Sequence, residues 1–332
     1  MNTLLLCKSD IEKLISMKEV VDICDKTFQG YGDGTTLNPA KLNLNLGDSD
    51  PYPPYKTSMN AMPAYIGWQD IAGLKWVGGF GGKRKELGLP FINGLIILCD
   101  PDIGNFVAVM DGTHITNLRT GGQTGATLRY IFKDKKKISI GLYGAGVQGR
   151  TQTMAISEVF DIEELRVYDI VKPAAEKFKE DMESYVKGNI IVCDKPEEAA
   201  KGDVVISVTI ANDGFIKNQW LEPGTIYFPM GSYQECDYET ILSADKIIVD
   251  NIEQCLHRGV LKNLHAEGKI LEKDIYSTIG DLAVGKKVIE KFDDEKIICV
   301  PIGTGAMDVA VAGVVYQKAI SLSIGTQFAF DM

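Results

Sequence analysis

The chain has no apolar run of membrane-spanning length and no pair of cysteines in C-x-x-C spacing. The first absence excludes a helical span, which needs about 20 consecutive apolar residues. The second leaves seven cysteines scattered at 7, 24, 99, 193, 236, 255 and 299, with no ligand cluster for a metal such as zinc. Free buried thiols are expected. The amino end has no secretory pattern, since Leu4, Leu5 and Leu6 make too short an apolar run and acids follow at once, so a cytoplasmic protein is expected. Internal repeats and low-complexity segments are also absent. Positive charge is in deficit, with 35 Lys and Arg against 45 Asp and Glu and a net charge of −10. That argues against a nucleic-acid or anionic-membrane partner. An anionic small ligand needs only a local basic pocket and stays open.

What is present is a chain of 332 residues, 45% hydrophobic, enough for two domains with a core each. It is organised around residues 138–170. Residues 138–143 read as a buried strand, Gly144, Gly146 and Gly149 follow as G-x-G-x-x-G, a helical pattern runs over 148–160, and a second strand, 165–168, ends on Asp169. Each glycine has a physical reason: a tight turn at Gly144, close approach of backbone to a pyrophosphate at Gly146, helix-to-sheet packing at Gly149. The free N–H groups at the helix start then face the phosphates. Asp169 stands where a carboxylate accepts from a ribose 2′-hydroxyl and repels a 2′-phosphate, which points to NAD rather than NADP. The cofactor contacts expected are Thr120, Gly144, Ala145, Gly146, Val147, Gln148, Gly149, Asp169, Ile170, Thr209 and Met230.

Before this motif the pattern is β-rich. Residues 10–31 have helical spacing; 41–46 alternates K-L-N-L-N-L, the signature of a strand with one buried face; 57–62 and 71–77 read as strands; 93–100 and 105–110 read as a hairpin. The glycine-rich 78–82, followed by Lys83, Arg84 and Lys85, reads as a loop, either packed on a ligand or solvated. A helix over 113–132 carries Arg119 and a face of Gly121, Gly122, Gly125 and Ala126, so another helix or a ligand must come close to it. After Asp169, strands and helices alternate through 246–249, which implies a parallel, doubly wound sheet. Ligands of such sheets bind beyond the carboxyl ends of the strands, which places 209–211 and 230–233 near the cofactor. The chain ends in a glycine turn and a long small-residue helix.

Five segments together resemble the ornithine cyclodeaminase and mu-crystallin family of NAD(P)-dependent enzymes: A-M-P-A-Y at 61–65, L-K-W-V-G-G at 74–79, A-V-M-D-G-T-H-I-T-N-L-R-T-G-G at 108–122, the dinucleotide loop, and G-T-G-A-M-D-V-A at 303–310. The resemblance implies an α/β fold in which a doubly wound Rossmann NAD domain, 134–301, interrupts a discontinuous β-rich substrate and dimerisation domain, 1–133 and 302–332. It implies a homodimer. It also implies that Lys75 and Arg119 hold a substrate carboxylate, with Lys41 in place of a further carboxylate-binding arginine.

Two departures shape the expected chemistry. Tyr233 stands where the family's cyclodeaminases have the aspartate that binds the substrate amine, and Asn60 where they have a glutamate near its distal amine. A buried ammonium without a carboxylate partner is costly. Hydride transfer at a carbon bearing nitrogen is therefore expected, on a small amino acid or a cyclic ketimine carboxylate, with Lys75 and Tyr233 as proton donors or acceptors. Asp308 is expected either to orient a cationic group or to cap the last helix. A cyclodeaminase releasing ammonia and a non-catalytic NAD-binding accessory protein are the alternatives.

Overall fold

The computed structural model describes residues 2–47, 52–55, 57–80, 83–290 and 293–330. The chain divides into two compact units, Met1–Arg119 with Thr304–Met332, and Thr120–Gly303. The first division falls inside one helix, Gly112–Ile131. No described helix is long and apolar enough to cross a membrane.

The first unit is built on a sheet in the order Thr326–Ala329, Asn2–Leu6, Phe106–Asp111, Ile92–Cys99, Ile71–Phe80, Thr57–Ile66, Thr36–Leu37, with Leu42–Asn45 also paired to Thr57–Ile66. Alternation gives it two unlike faces. Along Ile71–Phe80, Lys75 and Val77 are buried while Trp76 between them is 50% exposed. The helix Gly305–Leu322 covers the buried face, and small residues let it lie close: a Cβ on Gly73 would stand 3.0 Å from Val309.

Three expectations for this unit change. Residues 10–31 are not one helix but a turn, Lys8–Ile11, and a helix, Met17–Asp33. Ser16 starts the second: its Oγ accepts from Glu19 N at 3.4 Å, and the Glu19 carboxylate accepts from Ser16 N at 3.0 Å. In Leu42–Asn45 the period is right but the apolar side is open, with Leu42 and Leu44 exposed. Gly78, Gly79 and Phe80 extend the strand rather than form a loop, Lys83–Glu86 is a helical turn, and Gly81 and Gly82 lie outside the described residues. The strands Asn2–Leu6 and Thr326–Ala329, which pair antiparallel, have no counterpart in the sequence reading.

The second unit is an eight-stranded parallel sheet in the order Asn189–Val192, Asp161–Tyr168, Lys137–Tyr143, Val204–Ser207, Ile226–Pro229, Ile297–Val300, Lys246–Val249, Ser277–Thr278. The chain direction across the sheet reverses between Lys137–Tyr143 and Val204–Ser207, which pair in parallel. That is the topological switch point, where open α/β sheets take their ligands. The helix Val147–Ser157 packs so closely on Gly121 that a Cβ there would stand 2.2 Å from the Thr151 carbonyl oxygen. At Gly121, then, the close neighbour is a helix.

Candidate active site

In the first unit the structure brings Lys75, Thr116, Arg119 and Asp308 together. Lys75 reaches the buried face because strand alternation puts it there; Thr116 and Arg119, three apart, share one side of the helix Gly112–Ile131. Asp308, fully buried, joins them. Its Oδ2 accepts from Lys75 Nζ at 2.5 Å, and its Oδ1 accepts from Thr116 Oγ1 at 2.9 Å and Arg119 Nε at 3.2 Å. Lys75 is 1% exposed and Arg119 7%. Burial pushes the Asp308 carboxyl up, but Arg119, Lys75 and the hydrogen bonds from Lys75 and Thr116 outweigh it and hold the group below the ordinary carboxylate value. The three named charges sum to +1. Asp308 does not cap its helix, whose N-cap is Thr304.

Lys41 lies half-buried just before the strand Leu42–Asn45. Asn60, on the face that also carries Lys75, accepts from Asn43 Nδ2 at 3.1 Å. His114, half-buried, has its pKa lowered chiefly by burial, and its backbone N–H donates to Asp111 at 2.8 Å.

In the second unit the glycine loop has the features that a dinucleotide requires. Gly144 has φ +103°, and a Cβ on it would stand 2.9 Å from the Val208 carbonyl oxygen. A Cβ on Gly149 would stand 2.3 Å from the Gly144 carbonyl oxygen, whereas one on Gly146, the N-cap of Val147–Ser157, would meet nothing within 4 Å. The one open glycine is the one at which a pyrophosphate would approach. Asp169 directly follows the strand Asp161–Tyr168 and accepts from Ala145 N at 2.8 Å and Val171 N at 2.9 Å, so its carboxylate is fixed against the loop. Each carboxylate oxygen retains capacity for a ribose hydroxyl. Around the carboxyl ends of these strands, Val147, Ile170 and Ile210 are 58%, 90% and 76% exposed. Aliphatic side chains so open to water are suited to the flat faces of a bound base. Gln148 and Thr120 are half-buried nearby in this unit, and the Thr120 carbonyl accepts from Gln152 Nε2 at 3.0 Å.

Glu235, close in sequence to Tyr233 but out of register with the family's aspartate, has a role that the sequence did not show. It is fully buried; its Oε1 accepts from Thr209 N at 2.7 Å and Thr209 Oγ1 at 2.6 Å, and its Oε2 from Ser207 Oγ at 2.9 Å. Both Thr209 donors are therefore committed to Glu235, and Thr209 shapes its loop rather than offering a free hydroxyl proton. Burial raises the Glu235 pKa, only partly offset by these bonds. The Met230 backbone N–H donates to the Ser207 carbonyl at 3.0 Å, and Tyr233 is half-buried in the following turn. The hint in the sequence was an acid between Gln234 and Cys236, two residues beyond the position where the aspartate was sought.

A doubly wound sheet with this loop, in one chain with a β-rich unit that holds a buried cationic cluster, defines a dinucleotide-dependent oxidoreductase fold. The chain belongs to the ornithine cyclodeaminase/mu-crystallin family, whose pattern matches residues 1–323. It is 35% identical to an alanine dehydrogenase of Archaeoglobus fulgidus over 99% of both chains. Among solved structures, an archaeal alanine dehydrogenase dimer with bound NAD matches with TM-score 0.90 at 34% identity, covering 100% of both chains. The Δ1-pyrroline-2-carboxylate reductase of Thermococcus litoralis, in complex with NADH and L-proline, matches with TM-score 0.90 at 32% identity, over 98% of this chain and 99% of that one.

Proposed function

We propose that the protein is an NAD-dependent oxidoreductase acting on the carbon–nitrogen bond of a small α-amino acid or a cyclic imine carboxylate. The observation that carries this reading is the buried cluster of Lys75 and Arg119 on Asp308. Two cations sharing one carboxylate are suited to receive a second carboxylate, that of the substrate, as charge-assisted hydrogen bonds. Asp308 fixes their positions, so the substrate carbon is oriented without reorganisation at the moment of reaction. Lys41 adds a third cation. Lys75 and Tyr233 are the groups assigned to proton transfer at the substrate nitrogen.

Bound NAD supplies the hydride acceptor, and NADH the donor in the reverse direction. The loop residues Gly144, Ala145, Gly146, Val147, Gln148 and Gly149 hold its phosphates, Asp169 its adenosine ribose, and Ile170 flanks its base. Thr209, kept in place by Glu235, and Met230 shape the loops beyond the neighbouring strands, and Thr120 completes the set.

Cyclodeamination is the second reading, since the family takes its name in part from that activity. The Asn43–Asn60 amide pair disfavours it, because a distal ammonium beside two buried cations would meet an amide and not a carboxylate. A homodimer and a cytoplasmic location complete the reading. The dimer draws support from the open sheet face, where Leu42, Trp76 and Leu95 lie in one cross-strand row and are 74%, 50% and 54% exposed. The test is NADH fluorescence against a panel of amino acids with NAD and, separately, of cyclic imines with NADH. Turnover of a member of either panel is expected; binding of NADH with no turnover would leave an accessory protein instead.

A further inference from the structure

The helix Gly305–Leu322 begins on Thr304, which is 1% exposed. A threonine at this position ordinarily accepts from an N–H of the first turn. Here the side chain makes no cap hydrogen bond, and Thr304 Oγ1 has no hydrogen-bond partner among the described residues. A buried hydroxyl left unsatisfied is costly, and native structures rarely keep one without a reason. One turn further along the same helix, Asp308 holds Lys75 and Arg119. The helix start also carries the positive end of the helix dipole. The Ala306 N–H is already engaged, donating to Asn38 Oδ1 at 3.0 Å. That bond ties the loop between Thr36–Leu37 and Leu42–Asn45 to the helix start, where the Thr304 hydroxyl has no partner among the described residues.

We propose that Thr304 is a ligand-binding residue whose hydroxyl donates to an oxygen of the substrate carboxylate. The inference rests on the reading of the Lys75–Arg119 cluster as the carboxylate site, and it adds a neutral, geometrically specific donor to two cations. An anion is the ligand that fits, because the hydroxyl proton, the helix dipole and both cations favour negative charge. The same hydroxyl could also meet an amide oxygen of the cofactor, and the test separates the two.

The test uses Thr304→Val, nearly the same shape without the hydroxyl, and Thr304→Ser, which restores the donor. The full-length protein is loaded with NADH and titrated with L-proline and with L-alanine, and NADH binding is measured separately. Removing an unpaired buried hydroxyl does not cost stability, so T304V should unfold at the same urea midpoint as wild type or a higher one. Its affinity for the amino acid should fall roughly tenfold. T304S should recover most of that affinity, and NADH binding should be unchanged in both. Three results each overturn the proposal: unchanged amino-acid affinity in T304V, weakened NADH binding instead, which would give the hydroxyl to the cofactor, or a clear loss of stability, which would show that the hydroxyl is bonded within the protein. Wild type that binds no amino acid would contradict the functional reading itself, and the inference would fall with it.

Discussion

Lys75 Nζ lies 2.5 Å from Asp308 Oδ2, though the two stand 233 positions apart in the chain, and both side chains are buried. One comes from the middle of a strand and the other from the last helix, so the contact ties the carboxyl-terminal segment to the amino-terminal sheet. Asp308→Asn leaves two buried cations without their carboxylate. The expected cost is about 3–5 kcal/mol of unfolding free energy, read from urea denaturation, with a fall in kcat/KM of about 100-fold or more. A variant within ~0.5 kcal/mol of wild type would show that Asp308 holds nothing essential.

The same carboxyl sets an acid limit. Its pKa lies below the ordinary 3.8 in the folded protein. An acid whose folded pKa is depressed contributes stability that is fully present above the unfolded value and lost as pH falls through the folded one. Wild type should therefore lose stability steeply below pH 3.8, and Asp308→Asn less steeply. Parallel curves of unfolding free energy against pH for the two proteins would contradict this.

Arg119→Lys keeps the charge and loses the planar fork. The Michaelis constant for the carboxylate substrate should rise about tenfold, while that for NAD stays within a factor of ~2. Steady-state kinetics with each substrate varied in turn separates the two constants. An unchanged constant for the carboxylate would remove Arg119 from the site.

Asp169 accepts from the backbone on both sides of itself, at Ala145 and Val171. Its negative charge is therefore fixed and cannot swing away from a 2′-phosphate. Wild type should prefer NAD to NADP by at least ~100-fold in kcat/KM, and Asp169→Ser should reduce that ratio at least ~10-fold. Equal use of both cofactors by wild type would be incompatible with the assignment.

Trp76 sits mid-strand on the open face of the sheet, 50% exposed. A glutamate there would place a charge at the centre of an apolar interface. Sedimentation at micromolar concentration should show a dimer for wild type and monomer for Trp76→Glu. If the variant remains dimeric, the open face is not the contact.

The sequence made the second unit readable because its signals are local: glycines with fixed offsets, short apolar runs, and an acid at the end of a strand. The parallel strand Ile297–Val300, a short apolar run of the same kind, was not picked out in the sequence. In the first unit, K-L-N-L-N-L gave the strand, but local pattern cannot say which of a sheet's two faces a helix covers, so Leu42 and Leu44 were placed inside when they are outside. Lys75 and Arg119 were legible through the family resemblance, Lys75 within L-K-W-V-G-G and Arg119 within the block at 108–122. Asp308 as their common partner was not, because nothing in a sequence relates positions so far apart. Glu235 was within view, yet its bonds to Ser207 and Thr209 depend on two strands lying side by side.

Net hydride transfer between NAD and a carbon bearing nitrogen consumes one NAD for each substrate oxidised. Its most direct test is stoichiometry: purified protein with excess NAD and, in separate reactions, L-alanine, L-proline and L-ornithine, with NADH, ammonia and oxo or imino acid measured together. NADH should accumulate one for one with the oxidised acid for at least one amino acid. Ammonia released from ornithine with no net NADH would contradict it and make the protein a cyclodeaminase.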